Sequence, residues 1–535
     1  MQVATTKKTR SNRSDLVAVV YLEKSLSHVT NNRWLVLLAV MLLFFPIVLD
    51  FTILHIAIPS LTLALQASGT EVLWIIDLYS LVMVSMLIPM GTLADRIGHR
   101  LLLLWGVVVF TAMSILAAYA WSSVVLILAR ALMACGAAMV IPSLLAIIRQ
   151  SFDDPKERAL ALGLWSAVGS AGAALGPLVG GALLEHFWWG SVFLVNVPIM
   201  LVVGPMAYVL IPRHFVTGKG DWTIGQALIL MVGLLAAVYG VKSGFKPDGD
   251  WGYSLLFCAI GVGLLAWFVQ KQRHSDAPML DMGLFALPAL RTGVLMATVV
   301  MGALAGVELT IAQELQFVLG KSPLTAALVM LPLMVSSAVG GPLGSMLLAR
   351  VGLRPIATLS LLVSALSLFG LGASDFSQVG LGINIMLIGL GLSLSVGLTA
   401  SSVAIMGSTP EEKAGAAGAL SASSYDLGSA LGIAGFGLVL TANYANHIQL
   451  PAGLPPEVAS KAGLSIGETM LMAQQLGAEQ GHALVLAAQN AYSSAHSMVL
   501  FSAAALVALL TGVVWRVLRH YQSPEDASAS AEQGA

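Results

Sequence analysis

The sequence predicts an all-α membrane protein of 14 transmembrane helices, built as two six-helix bundles plus two inserted helices, with both termini cytoplasmic. Three observations predict this. The 535 residues are 57% hydrophobic and 10% charged, with a mean hydropathy of +0.87, a balance that no water-soluble domain of this length carries on its surface. Fourteen apolar runs of roughly 20 residues, the length that crosses a bilayer, centre near residues 46, 83, 111, 135, 172, 200, 232, 261, 304, 336, 365, 392, 428 and 504. The basic residues then alternate between connecting segments: 21 of the 26 Lys+Arg fall in segments of one side, from Lys7 and Arg33 through Arg96, Arg100, Arg149, Lys271, Arg350 and Arg354 to Arg516. Only Lys242, Lys246, Lys321 and Lys461 fall on the other, so the first side is cytoplasmic.

Taken in order, residues 1–33 read as a polar, basic cytoplasmic segment with no cleavable leader. Residues 34–212 form an N-terminal six-helix bundle, 213–273 the inserted pair (spans 7 and 8), 274–515 a C-terminal six-helix bundle, and 516–535 a cytoplasmic tail. Helix starts agree with the spans. Ser68-Gly-Thr-Glu71 is a capping-box pattern ahead of span 2, and Asp154-Pro155, Ser322-Pro323 and Thr409-Pro410 each pair an N-cap residue with Pro at the first helical position. One external connection is long, at about 442–492; its apolar residues recur at helical spacing, which predicts short amphipathic helices serving either as a tether or as a cap over the outer mouth.

Span 1 contains VLDFTILHIAIP (48–59), which places the carboxylate of Asp50 in an otherwise apolar run. An Asp near the middle of a membrane costs roughly 3 kcal/mol or more on insertion scales. Arg130, the one Lys or Arg inside a span, lies in the outer half of span 4 at about the same depth. The two form either a fixed ion pair that orders helices 1 and 4, or a conditional pair that protonation of Asp50 releases. Asp77 falls in the outer part of span 2, Glu308 and Glu314 toward the outer end of span 9, and Asp426 near the midplane of span 13 with no basic partner among the spans. Asp426 is therefore a candidate for both proton uptake and attraction of an organic cation, with Asp77, Glu314, Trp74, Tyr79, Trp165 and Tyr425 as candidate neighbours of that cation.

The loop after span 2 reads GTLADRIGHR (91–100), and the loop after span 10 reads SMLLARVGLR (345–354). Arg96, Gly98 and Arg100 recur as Arg350, Gly352 and Arg354, which suggests a parallel duplication of two halves. Gly91, Asp95, Arg96, Gly98 and Arg100 have the chemistry of a latch between helix ends: glycines for a tight turn, a carboxylate and two guanidinium groups for helix termini. Ala349 stands where Asp95 would align, so the second copy lacks the carboxylate. Span 5, GSAGAALGPLVGG (169–181), sets Gly172, Gly176 and Gly180 on one helix face, with Pro177 and Gly181 alongside, which permits close helix contact and a bend.

These motifs carry a family likeness over essentially the whole chain. GTLADRIGHR resembles the loop 2–3 signature of the major facilitator superfamily, and VLDFTILHIAIP the span 1 motif of its fourteen-span drug:proton antiporter branch. GSAGAALGPLVGG is similar to the span 5 antiporter motif, and LARALMACGAAMVIP (128–142) to the span 4 Arg motif. His55 stands where that family usually has Asn, Ala134 where it prefers Gly, and Gly190 where it has Arg. The resemblance implies a proton-coupled efflux antiporter for amphipathic organic cations such as quaternary ammonium antiseptics, biguanides, dyes and viologens. Asp50, Arg130, Asp426 and Glu308 would then handle protons, in a bacterial-type cytoplasmic membrane, in a monomer.

Other classes fit less well. A facilitator or symporter of a neutral nutrient needs fewer buried acids. A membrane-embedded lipid-modifying enzyme needs a catalytic constellation, and HExxH, CxxC, a strand-led GxGxxG and a phosphate loop are all absent from the sequence. Cys135 and Cys258 lie in apolar runs and encode neither a disulfide framework nor a metal site. No enzyme activity, cofactor, metal or nucleic-acid partner is expected; the partners are small cations, protons and the lipid bilayer.

Overall fold

The computed structural model describes residues 33–152, 154–211, 224–244, 251–275, 278, 282–409 and 414–520. The basic N-terminal segment with Lys7 to Lys24, the tail after 520, and Arg213, Lys219, Lys246, Pro410 and Lys413 lie outside the described residues, as does the Asp95 side chain. The regular elements among the described residues are all helices: α1 (Arg33–Leu65), α2 (Gly69–Ile97), α3 (His99–Ala118), α4 (Ser123–Ser151), α5 (Pro155–His186) and α6 (Ser191–Leu210) come first. The next are α7 (Ile224–Gly244), α8 (Trp251–Arg273), α9 (Pro288–Gln313), α10 (Pro323–Val351), α11 (Leu353–Gly372), α12 (Leu381–Gly407) and α13 (Ala414–His447). Two short helices, α14 (Pro456–Ala462) and α15 (Ile466–Ala473), precede α16 (Ala478–Val517). Among the described residues 13 helices are long and apolar enough to span a membrane, and the shorter apolar stretch Gly225–Val241 of α7 supplies the fourteenth.

Local chemistry sets the ends. Ser68 and Glu71 form a reciprocal capping box at α2, and Ser322 caps α10 with Pro323 at its first position. The repeated loops have the same backbone: Gly98 and Gly352 adopt φ of 99° and 94°, a region that a Cβ disfavours. The arginines two residues later also act alike. Arg100 donates to the Tyr208 carbonyl and stacks 4.6 Å from its ring on α6; Arg354 donates to the Trp515 carbonyl and stacks 3.7 Å from its ring on α16. Each guanidinium thus ties the start of the third helix of its bundle to the end of the last one.

Two apolar cores result. One is drawn from α1–α6 and the other from α9–α13 and α16. They exchange residues at the seam, where Ile56 of α1 belongs to the second core and Leu309 of α9 to the first. The inserted helices pack on each other through Gly240, Gly261 and a Gln272–Gln226 hydrogen bond of 2.7 Å, and reach the bundle through α2. Hydropathy places the ends of spans 13 and 14 too early and too late: α13 runs to His447 and α16 starts at Ala478, so the long connection shrinks to 448–477.

Helix contact in lipid depends on small residues. A Cβ on Gly136 of α4 would meet the Phe110 amide nitrogen at 2.8 Å and the Gly106 carbonyl oxygen at 2.9 Å on α3, whereas one on Gly163 of α5 meets nothing within 4 Å. Gly136→Leu is therefore expected to lower the melting temperature of the detergent-purified protein by several degrees or abolish its monodisperse peak, since overpacking costs about 1–3 kcal/mol or more. Gly163→Leu should leave both unchanged, and equal behaviour of the two would contradict the tight α3–α4 crossing.

Candidate functional site

Asp50 sits at the middle of the 33-residue α1 and is fully buried. Arg130 of α4, also buried, donates from Nη1 to Asp50 Oδ2 and from Nε to the Ile75 carbonyl at 3.4 Å. Asn196 donates from Nδ2 to Asp50 Oδ1 at 3.1 Å. Asn196 stands where α6 resumes after its interruption at Val195, between Ser191–Leu194 and Asn196–Leu210, so that break aims an amide at the carboxylate. The Arg130 guanidinium lies 4.2 Å from the Tyr79 ring centroid and 5.9 Å from that of Phe193. Both charges therefore have partners, and the cation also has two aromatic faces.

Across the seam stands Asp426 on α13, partly buried, and beside it Tyr425, whose hydroxyl is 2.6 Å from Ser402 Oγ of α12. Tyr79 connects the two sides. Its hydroxyl is buried without a hydrogen-bond partner and lies within electrostatic reach of Asp50, Arg130 and Asp426. Asp77, one turn before Ser80 on the same helix, is fully buried.

The other candidates face elsewhere. Trp74 stacks 6.2 Å from Tyr239 of α7, which in turn meets Phe257 of α8 edge-on at 4.7 Å; this aromatic ladder attaches the inserted pair to α2. Trp165 of α5 stacks on Phe44 of α1 at 4.6 Å. Glu314 opens a π-helical turn (Glu314–Val318) that continues α9, and its Oε1 accepts a 2.6 Å hydrogen bond from Ser493 on α16. Glu308 instead meets His55 across the seam, Oε2 to Nδ1 at 3.2 Å.

The span 5 glycines form the α5 face against α1. Gly172 packs on Val48 and Phe45, Gly176 on Thr52 and Ile53, and Gly180 on Ile53 and Ile56, while Gly181 abuts Leu324 and Pro323 of α10. Pro177 lies between them. One face of α5 therefore touches the Asp50 helix and, at its end, the other bundle. In the loop after α2, Gly98 makes the turn and Arg100 makes the clamp already described; Gly91 faces Pro142 at ordinary contact distance and Arg96 is exposed.

At the end that carries the 448–477 connection, α15 lies over the seam. Gly467 packs on Thr62 of α1, Ser465 on Gly69, the Gly69 N–H donates to Glu468 Oε1 at 3.3 Å, and Tyr444 of α13 bonds Thr469 at 2.6 Å. Beneath it a small cavity is walled by Thr62, Leu73, Gln313, Phe317, Tyr444 and Gly467. Of the two roles open from sequence, tether or cap, the contacts are those of a cap.

The family model "Major Facilitator Superfamily" matches residues 40–433. The chain belongs to the major facilitator superfamily. Among curated relatives of this facilitator, "Methyl viologen resistance protein SmvA" of Salmonella typhimurium is 45% identical over 445 residues, covering 83% of this chain and 90% of that protein. "Multidrug efflux pump LfrA" of Mycolicibacterium smegmatis is 37% identical, covering 84% and 90%. Among solved structures, a bacterial homolog of the human lysosomal transporter Spinster, inward-facing and unoccupied, aligns with a TM-score of 0.63 at 20% identity over 92% of this chain and 99% of that one. The facilitator is a transporter rather than an enzyme, and a multi-pass protein of the bacterial inner membrane.

Three side chains of the site escaped sequence reasoning. Asn196 lacked any signal beyond a polar residue in an apolar run; His55 was visible only as a departure from the family pattern; Glu468 lay in a loop whose docking nothing in the sequence revealed.

Arg130→Met should leave the Asp50 carboxylate buried and uncompensated, at about 3–5 kcal/mol. A marked fall in melting temperature is expected, with part of it restored in Asp50→Asn/Arg130→Met; absence of any restoration would argue against the pair as the cause. A second expectation concerns pH. Burial, with the neighbouring Glu71 charge adding to it, raises the Glu468 carboxyl above the ordinary glutamate range, against the Gly69 N–H and Lys461. The docked cap thus holds this proton more tightly than an undocked one, so docking is favoured at low pH and loses that contribution as pH rises through the elevated value. Hydrogen exchange at 466–473, corrected for intrinsic rates, should be slower at pH 5 than at pH 8, and Glu468→Gln should remove the difference.

Proposed function

We propose that this facilitator is a proton-coupled multidrug efflux antiporter that exports amphipathic organic cations. A drug efflux transporter is the coarse reading that the relatives support, since two are named for methyl viologen resistance and multidrug efflux. The observation that carries the finer reading is the charge balance around Tyr79: two carboxylates, Asp50 and Asp426, on opposite sides of the seam, with Arg130 as the single cation. Arginine stays protonated at any physiological pH. Asp50 is matched by it, and Asp426 is left to be neutralised by a proton or by the charge of a substrate. A neutral nutrient gains nothing from such a site. Protonation of Asp50 would in turn free Arg130 toward Tyr79, so that the two acids would respond to protons on either side of that ring.

In this reading Asp50, Arg130, Asp426 and Glu308 handle protons; Asp426, Asp77, Tyr79 and Tyr425 face the cation, with Trp165 on the α1–α5 wall. The α5 glycines and the loop after α2 serve the interconversion of states, and the facilitator works as a monomer.

The test is transport in proteoliposomes under an imposed pH gradient, comparing a monovalent dye with a divalent viologen or biguanide. One ion contact at about 4 Å and an effective dielectric near 20 is worth on the order of 4 kcal/mol before desolvation. Asp426→Asn should therefore reduce divalent efflux at least tenfold and monovalent efflux less, with Asp426→Glu recovering part of both. Accumulation of a neutral sugar without cation flux would reverse the assignment, and equal loss of both cations would confine Asp426 to proton coupling.

A further inference from the structure

We infer that His55 and Glu308 form a one-proton clasp between the two bundles, which closes the outer end of the transport path when it holds its proton and weakens when it loses it. The inference rests on the proton-antiport reading and specifies how its Glu308 acts, with His55 as partner.

His55 is on α1 and Glu308 on α9, 253 residues apart in sequence, and the 3.2 Å contact between them joins the N-terminal to the C-terminal bundle. Both are secluded, at 2% and 13% exposure. The apolar cores interdigitate at the same place, through Ile56 and Leu309, the next residue of each helix. Two turns beyond Glu308, Gln316 donates across the seam to the Ile56 carbonyl at 3.0 Å. A movement that parts α1 from α9 breaks all of these together.

The charge count then matters. The neutral imidazole and ionised carboxylate leave a net charge of −1 in a buried seam, which is costly. One more proton makes the pair neutral, either as imidazolium and carboxylate or as imidazole and carboxylic acid. The shared proton lies between His55 Nδ1 and Glu308 Oε2, while His55 Nε2 is buried with no hydrogen-bond partner in the closed seam. The proton enters from external water when the seam is open and leaves to internal water after the opposite opening, so no bond other than N–H or O–H is made or broken.

The Asp50–Arg130 pair has a different capacity. It lies wholly within one bundle, and its cation keeps its proton. Other titratable groups on helices that pack against α1 and α9 are placed elsewhere: Glu314 on Ser493, Tyr492 on the Thr310 carbonyl, His496 against Phe376, and Glu468 at the α2 N-terminus. Asp77, Tyr79 and Asp426 stand on α2 and α13, and Tyr444 bonds Thr469.

The test measures the seam directly. Spin labels at Ala64→Cys and Lys321→Cys, both exposed at the outer end, in a Cys135→Ala/Cys258→Ala background reconstituted in nanodiscs, report the distance between the bundles by double electron–electron resonance. Glu468→Gln is included throughout so that the cap does not contribute its own pH response. The closed-to-open ratio should fall as the pH is raised from 5 to 8. His55→Gln and Glu308→Gln should each flatten this response, and the double variant should add nothing further. A pH response as large as the parent protein's in either single variant overturns the clasp. The underlying reading fails separately: wild-type proteoliposomes whose cation efflux ignores a pH gradient refute antiport, whereas a pH-independent seam in a protein that does exchange protons refutes only the clasp.

Discussion

The buried contact between Asp50 and Arg130 is the constraint around which the N-terminal bundle is organised. Neither charge can be left alone in a dry interior, so α1 and α4 must meet at one height and in one rotational setting. The remaining lone pairs and protons recruit further helices. Asn196 brings in α6 at its interruption, and the Ile75 carbonyl and Tyr79 ring bring in α2. Four helices are registered by one ion pair, and the span 5 glycines allow a fifth, α5, to approach the same stretch of α1. Structural and functional roles are therefore not alternatives here: a charge that fixes four helices is also one whose neutralisation would loosen all four.

The second organising device is the arginine after each repeated loop. Arg100 and Arg354 occupy equivalent positions and perform the same act, carbonyl hydrogen bond plus aromatic stacking, on the last helix of their own bundle. This separates two jobs within the loop signature. The shared Arg and Gly build each bundle, whereas the carboxylate of Asp95 has no counterpart in the repeat, where Ala349 stands. Rigid bundles are a precondition for the seam to act as a unit, because under the proposed coupling a proton taken up at one height would move the far end only if the helices did not yield between.

How much of this could be read in advance follows from what sequence encodes locally. The spans, the Ser68–Glu71 box, the Ser322-Pro323 start and the Gly98/Gly352 turns were legible because each depends on residues within one turn of itself. The Asp50–Arg130 contact was legible because an isolated acid and the lone spanning cation at one depth have few other options. Rotation about a helix axis was not legible. Trp74 precedes Asp77 by three residues on α2, yet its ring stacks on Tyr239, a partner that only the position of α7 supplies. Glu314 is six residues beyond Glu308, but the π-helical turn and Ser493 bring it to α16. The ends of α13 and α16 were missed because hydropathy records where lipid contact stops, and both helices continue past that point into protein contacts around Tyr444 and Tyr492.

The two halves, though similar in their loop signature, are unequal in charge, and that inequality is what the proposed export of cations would require. The N-terminal bundle balances its central acid with a permanent cation; the C-terminal bundle contributes Asp426 and Glu308, while its spanning helices carry arginine only in their end turns, at Arg291, Arg350, Arg354 and Arg516. A cavity with matched charges would hold neither a proton nor an organic cation with any preference. One with an excess of carboxylate must acquire positive charge before it is allowed to become dry, and it can take that charge from either source. In the proposed antiport, competition between proton and substrate would then follow from desolvation alone, without direct contact between the two. It also explains why the candidates for that charge lie along the seam between bundles: only there does filling or emptying a charge change the cost of bringing two apolar surfaces together.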